Sequence, residues 1–451
     1  MIKVGYIGLG ALGNQLARRF IGSAELWVWD LNAEARAAFS GEPGVRVAES
    51  AAELAENCQT ILICLPRSSD VRDMIFGETG LSVGLSRGSL IIDQTSGVPE
   101  ETRQIANELR KCDVTLIDAA VSASPHVVPL GAATLMAAGP DEAFDRAKPV
   151  LKLITETIYR CGTRVGDGQA MKIVNNAMNA ACRLGTLEVA VLGRKAGIPL
   201  RDMAVFLNEG IARNQTTDRM LPALVEGKTS TNFALSLMLK DVNQALALGM
   251  AVGTPMYVTT IVRGLLQIGA NTLTSKARLE DMVDVIETLA GTQLRSRLQT
   301  APGDQSQAHI GAVTATVAAG KPRVEDLLES AIAALCLHIT YECAMMGLKY
   351  GLSVQAISNV INTSSGWSEC SRTLLPALAD GTSIKDMKLK DSIQDLNQIC
   401  SLSIRLGAPL LIANAVRNIW EHALNTAEPD DSTPALTAFY CAMSGPMELP
   451  V

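Results

Sequence analysis

Aromatic side chains are scarce in this chain, at 4% of 451 residues, so its cores cannot be built from rings. Hydrophobic residues nevertheless reach 48%, and an Ala, Leu, Ile, Val and Met core suits closely packed helices. Runs rich in Lys and Arg are missing, and the net charge is -7. No nucleic-acid partner is expected, because counterion-driven affinity needs clustered basic residues. The ten cysteines contain no C-x-x-C pair and mostly sit in apolar stretches, where a thiol behaves as a small core residue. A disulfide framework is not expected in a chain of this length. The four histidines, His126, His309, His338 and His422, show no metal-ligand spacing, so no metal is expected. No uninterrupted apolar run of 18 or more residues suggests a membrane span, and with a working motif reached by Gly8 no signal peptide is expected. The expectation is a soluble, cytoplasmic protein that touches neither membrane nor nucleic acid.

What is present changes character along the chain. Short apolar runs at 2–7, 26–29, 60–65, 89–93, 114–117 and 134–138 alternate with helical or polar segments, a pattern that predicts an α/β fold with a doubly wound parallel sheet. The alternation fades near Thr163. From Gly166 onward helical stretches dominate, with Gly and Pro confined to junctions such as Gly197-Ile198-Pro199 and Gly253-Thr254-Pro255. Residues 292–319 are polar, contain Pro-Gly, and read as a linker with some local helix.

The helical part repeats itself. A shift of 154 places Leu221-Pro222-Ala223-Leu224 on Leu375-Pro376-Ala377-Leu378, and Asp241-Val242-Asn243-Gln244 on Asp395-Leu396-Asn397-Gln398. The same shift places Gly253-Thr254-Pro255 on Gly407-Ala408-Pro409, and Thr186-Leu187-Glu188 on Thr340-Tyr341-Glu342. Four matches in one register indicate a duplicated helical domain. The predicted organisation is a Rossmann-like domain over 1–163, a helical domain over 164–291, a linker over 292–319, and a second helical copy over 320–451.

Gly8-Leu9-Gly10-Ala11-Leu12-Gly13 is a G-x-G-x-x-G that follows a strand and opens a helix. The first glycine permits the tight turn, the second lets a pyrophosphate approach the backbone, and the third packs helix on strand. Phosphates then meet free N–H groups and the positive end of the helix dipole. Asp30 ends the next apolar run, 20 residues past Gly10, where a carboxylate accepts ribose hydroxyls and repels a 2′-phosphate. The cofactor expected is therefore NAD, with Gly8, Gly10, Leu12, Gly13 and Asp30 around it. A turn residue at a strand end is the plainer reading of Asp30.

Gly166 to Asn176 opens the first helical copy. Lys172 and Asn176 are four apart and so share a helix face. A lysine beside an apolar ring and a cofactor cation releases its proton more readily, and can take a hydroxyl proton as hydride leaves. On spacing alone the commoner fate is a surface lysine on an amphipathic helix.

Four ordered blocks decide between these readings: Gly8–Gly13; Asp118-Ala-Ala-Val-Ser122-Ala123-Ser124 with Gly131 and Met136 to Gly139; Gly168 to Asn176; and Lys240-Asp241. They resemble the β-hydroxyacid dehydrogenase family, which includes 3-hydroxyisobutyrate and tartronate-semialdehyde enzymes. The resemblance covers roughly residues 1–291. It implies an NAD-dependent oxidoreductase that moves a hydride between cofactor and a β-hydroxy acid, with Lys172 as acid/base. It implies that Ser122, Ala123, Ser124 and Asn176 meet the substrate, that Leu65, Pro66 and Ser96 lie in cofactor loops, and that Lys240 lies near the cofactor. The family's Asp-Ala-Pro-Val-Ser-Gly-Gly departs here at Ala120, Ala123 and Ser124, so the substrate is expected to differ from the family's simplest one. The family's Ser-Thr is here Thr95-Ser96, which keeps a hydroxyl.

The second copy lacks this chemistry: Lys172 meets Asp326, Asn175 meets Glu329, Asn176 meets Ser330, and Lys240 meets Gln394. Tandem copies also occur in long 6-phosphogluconate dehydrogenases, whose Lys-x-x-His-Asn carries a histidine where this chain has Asn175. Such an enzyme, or an imine or ketone reductase on the same scaffold, is the alternative reading. A non-catalytic dinucleotide sensor is the alternative of another class, disfavoured by the presence of Lys172. His126 reads as a loop histidine, and Trp367, which falls on Arg213, is a candidate pocket residue. The copies are expected to pack about a pseudo-two-fold axis, as a monomer with an internal pseudo-dimer or as a homodimer.

Overall fold

In a computed structural model, residues 2–295, 322–382, 384, 388–426 and 433–445 are described. They form two compact units, Met1–Ile173 and Val174–Val451.

The first unit carries eight strands: β1 Ile2–Ile7, β2 Ala24–Trp29, β3 Val45–Val47, β4 Thr60–Ile63, β5 Leu90–Asp93, β6 Thr115–Ser122, β7 Thr134–Ala138 and β8 Ile158–Gly162. Its helices are α1 Ala11–Arg18, α2 Ala33–Ala37, α3 Ala51–Asn57, α4 Ser68–Phe76, α5 Pro99–Arg110 and α6 Asp141–Leu151. Strand order is β3-β2-β1-β4-β5-β6-β7-β8. Alternate residues of each strand feed opposite cores: Val4, Tyr6, Leu26, Leu62 and Ile92 on one side, Ile7, Ile61, Ile63, Ile91 and Leu116 on the other. Burial on both faces is what a doubly wound sheet requires, and it explains why these strands read as unbroken apolar runs.

One strand departs from the all-parallel expectation. β7 runs antiparallel to β6, pairing Ser122 with Thr134 and Asp118 with Ala138. The chain between them, 123–133, is too short for the crossover that a parallel pair needs. Two strands, β3 and β8, have no counterpart among the apolar runs read from the sequence. Both are short and mostly half-buried, so neither carries an apolar run.

The second unit is helical. α7 Asp167–Lys195 enters it from the first, and α8 Leu200–Phe206, α9 Leu221–Glu226, α10 Leu235–Val252, α11 Tyr257–Thr272 and α12 Met282–Ala290 complete the first copy. The second copy comprises α13 Val324–Tyr350, α14 Val354–Ile361, α15 Glu369–Ala379, α16 Leu389–Leu406, α17 Leu411–Thr426 and α18 Thr433–Ser444. Shifted by 154, α16 superimposes on α10 and α17 on α11 at both ends. Most of the linker expected over 292–319 lies outside the described residues.

α13 is long and apolar enough to cross a membrane, although Glu329, His338 and Glu342 interrupt its apolar run. Here 94% of its most apolar window is buried, as befits a core helix of this unit.

Equivalent residues of the two copies meet one another. Asn214 pairs antiparallel with Ser368, its own counterpart at the 154 shift. The flanking bonds are symmetric, Gln215 N donating to Trp367 O (3.3 Å) and Glu369 N to Arg213 O (2.8 Å). The Cys336 thiol, hydrogen-bonded to its counterpart Cys182 and buried, is held well above its ordinary value. Residue-to-counterpart contact is the signature of an isologous interface, here folded within one chain.

Candidate active site

In the first unit, the expected cofactor and substrate residues collect at the carboxyl ends of adjacent strands. Gly8 follows β1, Asp30 follows β2, Leu65 and Pro66 follow β4, Ser96 follows β5, and Ser122 closes β6. Strand order reverses at β1 and β4, where open α/β sheets bind ligands.

Each glycine of the turn has its own cause. Gly8 has φ +93°, and a Cβ there would lie 2.1 Å from Cys64 O. A Cβ on Gly13 would lie 1.9 Å from Gly8 O. Gly10 differs, since a Cβ there would meet nothing within 4 Å. No protein contact demands glycine at position 10, whereas a pyrophosphate approaching the amino end of α1 does. Leu12 is half-buried on the first turn of α1. The Asp30 carboxylate accepts from Leu9 N (2.6 Å) through one oxygen and from Asn32 N (2.7 Å) through the other. It therefore braces the glycine turn, and one lone pair on each oxygen is left for a ribose. Leu65 N donates to Thr95 Oγ1 (3.1 Å), which ties two of the loops together.

Ser122, Ala123 and Ser124 are half-buried where β6 ends, and His126, on the following turn, is exposed. Four residues earlier, β6 carries the buried Asp118, which accepts from Gly166 N (2.6 Å) and Gln169 N (2.8 Å). Burial raises its carboxyl to about 7 despite those two bonds. Gln169 in turn donates to Asp93 (3.1 Å), whose carboxyl burial raises to about 6 against the bonds from Thr95 and Gln169. Gly168 makes this seat possible, because a Cβ there would lie 2.2 Å from Met136 O and 2.8 Å from Asp118 Oδ2. The first turn of α7 thus sits directly on β6 and β7, and Lys172 follows one turn later at 7% exposure. Sequence reasoning missed Asp93, Asp118 and Gln169 as the residues that position this helix. The spacing of Gly168 to Lys172 was a signal for a close seat, while Gln169 carried none.

In the second unit, two sequence blocks become one network. Asn176 Nδ2 donates to Asp241 Oδ2 (2.6 Å), and Lys240 Nζ lies 3.3 Å from Asp241 Oδ1. Asn175 Nδ2 donates to Asn176 Oδ1 (3.1 Å) and to Ser365 Oγ (3.1 Å), and Gly366 N donates to Asn175 Oδ1 (2.9 Å). The second copy therefore reaches the Lys172–Asn176 block through Ser365 and Gly366. In the second copy Glu329 stands in place of Asn175 and lies beside Gly210, where a Cβ would lie 1.5 Å from Glu329 Oε1. Trp367 lies against its counterpart, with the Arg213 guanidinium 5.6 Å from its ring centre. No group of His, Cys, Asp and Glu that could hold a metal occurs among the described residues.

Residues 3–162 match the family described as the NAD binding domain of 6-phosphogluconate dehydrogenase. Residues 166–287 and again 326–440, together over half the chain, match the NAD-binding domain of NADP-dependent 3-hydroxyisobutyrate dehydrogenase. Among relatives, the probable mitochondrial 3-hydroxyisobutyrate dehydrogenase of Arabidopsis thaliana is 32% identical over 56% of this chain and 78% of its own. The L-threonate dehydrogenase of Escherichia coli is 26% identical over 64% of this chain and 96% of its own. Two solved structures share the fold. The 6-phosphogluconate dehydrogenase of Plasmodium falciparum superimposes with a TM-score of 0.66 at 13% identity, covering 95% of this chain and 94% of its own. The 3-hydroxyisobutyrate dehydrogenase of Mycobacterium tuberculosis gives 0.59 at 20% identity over 63% of this chain and 99% of its own. With an NAD(P)-binding first unit and the same family's helical domain present twice, the chain belongs to the β-hydroxyacid dehydrogenases.

Proposed function

We propose that the protein oxidises a β-hydroxy acid, or reduces the corresponding aldehyde or ketone, with Lys172 as the acid/base and NAD as the preferred cofactor. The observation that carries this reading is the placement of Lys172. It lies at 7% exposure one turn above a glycine that lets α7 rest on the sheet, and on the same face as Asn176. A surface lysine needs no such seat. NAD, with its pyrophosphate held at the glycine turn, would supply the hydride acceptor for the oxidation and the donor for the reduction. The Lys172 amine accepts the hydroxyl proton in the oxidation and gives it back in the reduction, so the carbonyl oxygen never carries a full charge. Ser122 and Asn176 hold the substrate's carboxylate and hydroxyl, and Ala123 and Ser124 shape the space beside them. The Asp241 carboxylate fixes the Asn176 amide, leaving a lone pair of Asn176 Oδ1 for the substrate.

Asp30 supports NAD over NADP, because its carboxylate would face the 2′-phosphate of the latter. Asn175, in place of a histidine, disfavours decarboxylation of a sugar phosphate. One active site per chain follows from the loss of Lys172, Asn176 and Lys240 counterparts in the second copy. Ten unpaired thiols suit a reducing compartment such as the cytoplasm, which cell fractionation would test. The direct test is an NADH-absorbance screen against β-hydroxy acids, polyol acids and sugar acids. Turnover of at least one of them, reduced at least about a hundredfold in Lys172→Ala, is expected; no turnover of any class would overturn the reading.

A further inference from the structure

Gln169 lies three residues before Lys172 on α7, within the same compact unit, and is 1% exposed. Its backbone N–H donates to Asp118 Oδ2 (2.8 Å), which seats the helix on β6. Its side chain reaches elsewhere. Nε2 donates to Asp93 Oδ2 (3.1 Å), at the end of β5, and to Thr95 O (3.1 Å), in the loop that follows. Asp93 Oδ1 accepts from Thr95 N (2.9 Å), and Thr95 Oγ1 accepts from Leu65 N (3.1 Å) in the loop after β4. One chain of hydrogen bonds therefore runs from Leu65 through Thr95 and Asp93 to Gln169, less than one helical turn from Lys172.

Two observations give this amide more than a packing role. Both Nε2 hydrogens are used, while its buried Oε1 has no partner. A buried acceptor without a donor is costly, and an apolar side chain of similar shape would avoid that cost. The amide is thus held for what it donates to. The loop after β5 also rests directly against it. A Cβ on Gly97 would lie 2.3 Å from Ser68 Oγ and 2.9 Å from Gln169 Nε2, so this loop cannot shift toward the helix without moving the amide. The second helical copy, which follows no sheet, has at the equivalent position the exposed Arg323, paired with Asp326.

We propose that Gln169 is a positioning residue that couples the loops after β4 and β5 to Lys172, so that a seated NAD sets the acid/base in register. Gln169 itself is buried and touches neither cofactor nor substrate. The assignment rests on the reading of Lys172 as the acid/base, and adds how cofactor occupancy reaches that residue.

Hydrogen–deuterium exchange with NAD alone tests the coupling without any substrate. In wild type, saturating NAD should slow exchange in both loops and also across residues 166–172. Gln169→Met keeps the shape and loses the donors; its loops should still be protected by NAD, and its residues 166–172 should not. Equal protection of 166–172 in both proteins, or none in wild type, overturns the coupling. Gln169→Glu, which sets a carboxylate against Asp93 and Thr95 O, should lose the same protection. Adding Asp93→Asn returns a donor opposite that carboxylate and still accepts from Thr95 N, so the double variant should recover part of it. No recovery overturns the proposed contact.

Kinetics then separate the two readings. On a β-hydroxy acid turned over in the NADH screen, Gln169→Met should lower kcat by about tenfold or more, as misplacement of a reacting group does, with the Kd for NAD near wild type. An unchanged kcat beside an impaired Lys172→Ala overturns the role of Gln169 and leaves Lys172 in place. A lowered kcat beside an unimpaired Lys172→Ala removes Lys172 from the acid/base role and leaves the coupling to be decided by exchange.

Discussion

Glu188 and Glu342, 154 positions apart, each cap a helix of the other copy. Glu188 accepts from Leu411 N, Ile412 N (3.0 Å) and Ala413 N (3.2 Å) at the start of α17. Glu342 accepts from Val258 N (2.9 Å) and Thr259 N (2.8 Å) at the start of α11. The receiving helices follow the equivalent Gly-x-Pro junctions, and each carboxylate meets otherwise orphaned N–H groups at the positive end of a helix dipole. The two caps are chemically unequal. Burial raises the Glu188 carboxyl to about 8, above what its three backbone donors offset. Glu342 is equally buried, yet it ends below its ordinary value, because the hydrogen bond and charge of His338, with Thr259, outweigh burial. His338 is itself hydrogen-bonded to Tyr440, which accepts from Trp420 Nε1 (3.0 Å).

That inequality sets a pH dependence. Glu188 has an ordinary value of 4.5 and a folded value of about 8. Between these the native state holds a proton that the unfolded chain has released. Its contribution is therefore full below 4.5 and is lost as pH rises through about 8. Glu342 has the opposite sign, contributing above its ordinary value and losing that contribution as pH falls through the lowered one. Glu188→Gln removes the first titration, so its melting temperature should fall less steeply than wild type between about pH 5 and pH 8. Parallel melting curves for the two proteins would show that Glu188 does not titrate in this window.

Replacing Lys172 by Ala should reduce turnover by about 10²–10⁴-fold, the usual contribution of an acid/base, with cofactor affinity nearly intact. Cofactor affinity is read by fluorescence titration and turnover by NADH absorbance. A loss smaller than about tenfold would remove Lys172 from the acid/base role.

Asp30 should make kcat/KM higher with NAD than with NADP. Because it also accepts the Leu9 N–H, Asp30→Ala should weaken binding of both cofactors, by about tenfold or more. A wild-type preference for NADP would sink the assignment.

The second copy should matter to catalysis only where it touches the first. A Cβ on Gly366 would lie 3.0 Å from Asn175 Oδ1, so Gly366→Val should displace that amide and lower kcat while leaving the cofactor Kd alone. Asp326→Ala and Gln394→Ala should leave kcat/KM unchanged. Truncation near residue 295 strips Glu188 of its helix and Asn175 of Ser365, and should give aggregation or a new dimer with weakened activity. A monomeric truncation with full activity would show that the second copy serves another purpose.

Much of this molecule is legible in one dimension because its determinants are local. The glycine turn, the strand runs, the Lys172–Asn176 spacing and the 154-residue register each depend on neighbours in the chain, whose geometry a helix or strand imposes. β3 and β8 escaped because short, half-exposed strands carry no apolar run, and the reversed β7 escaped because direction depends on the length of a connection. Only the tertiary structure decided what the buried polar groups do. Asp118 reads as the head of a substrate block and Gln169 as an ordinary helix residue until the fold seats the first turn of α7 on Asp118 and ties Gln169 to Asp93. Glu188 and Glu342 read as repeat markers until each is placed at the head of the other's helix. Arg183 reads as one more helix arginine until packing buries it without a carboxylate. Spacing along a chain sets which face a side chain occupies, whereas its hydrogen-bond partner and its exposure to water are set by segments distant in sequence, as Gly366 is from Asn175.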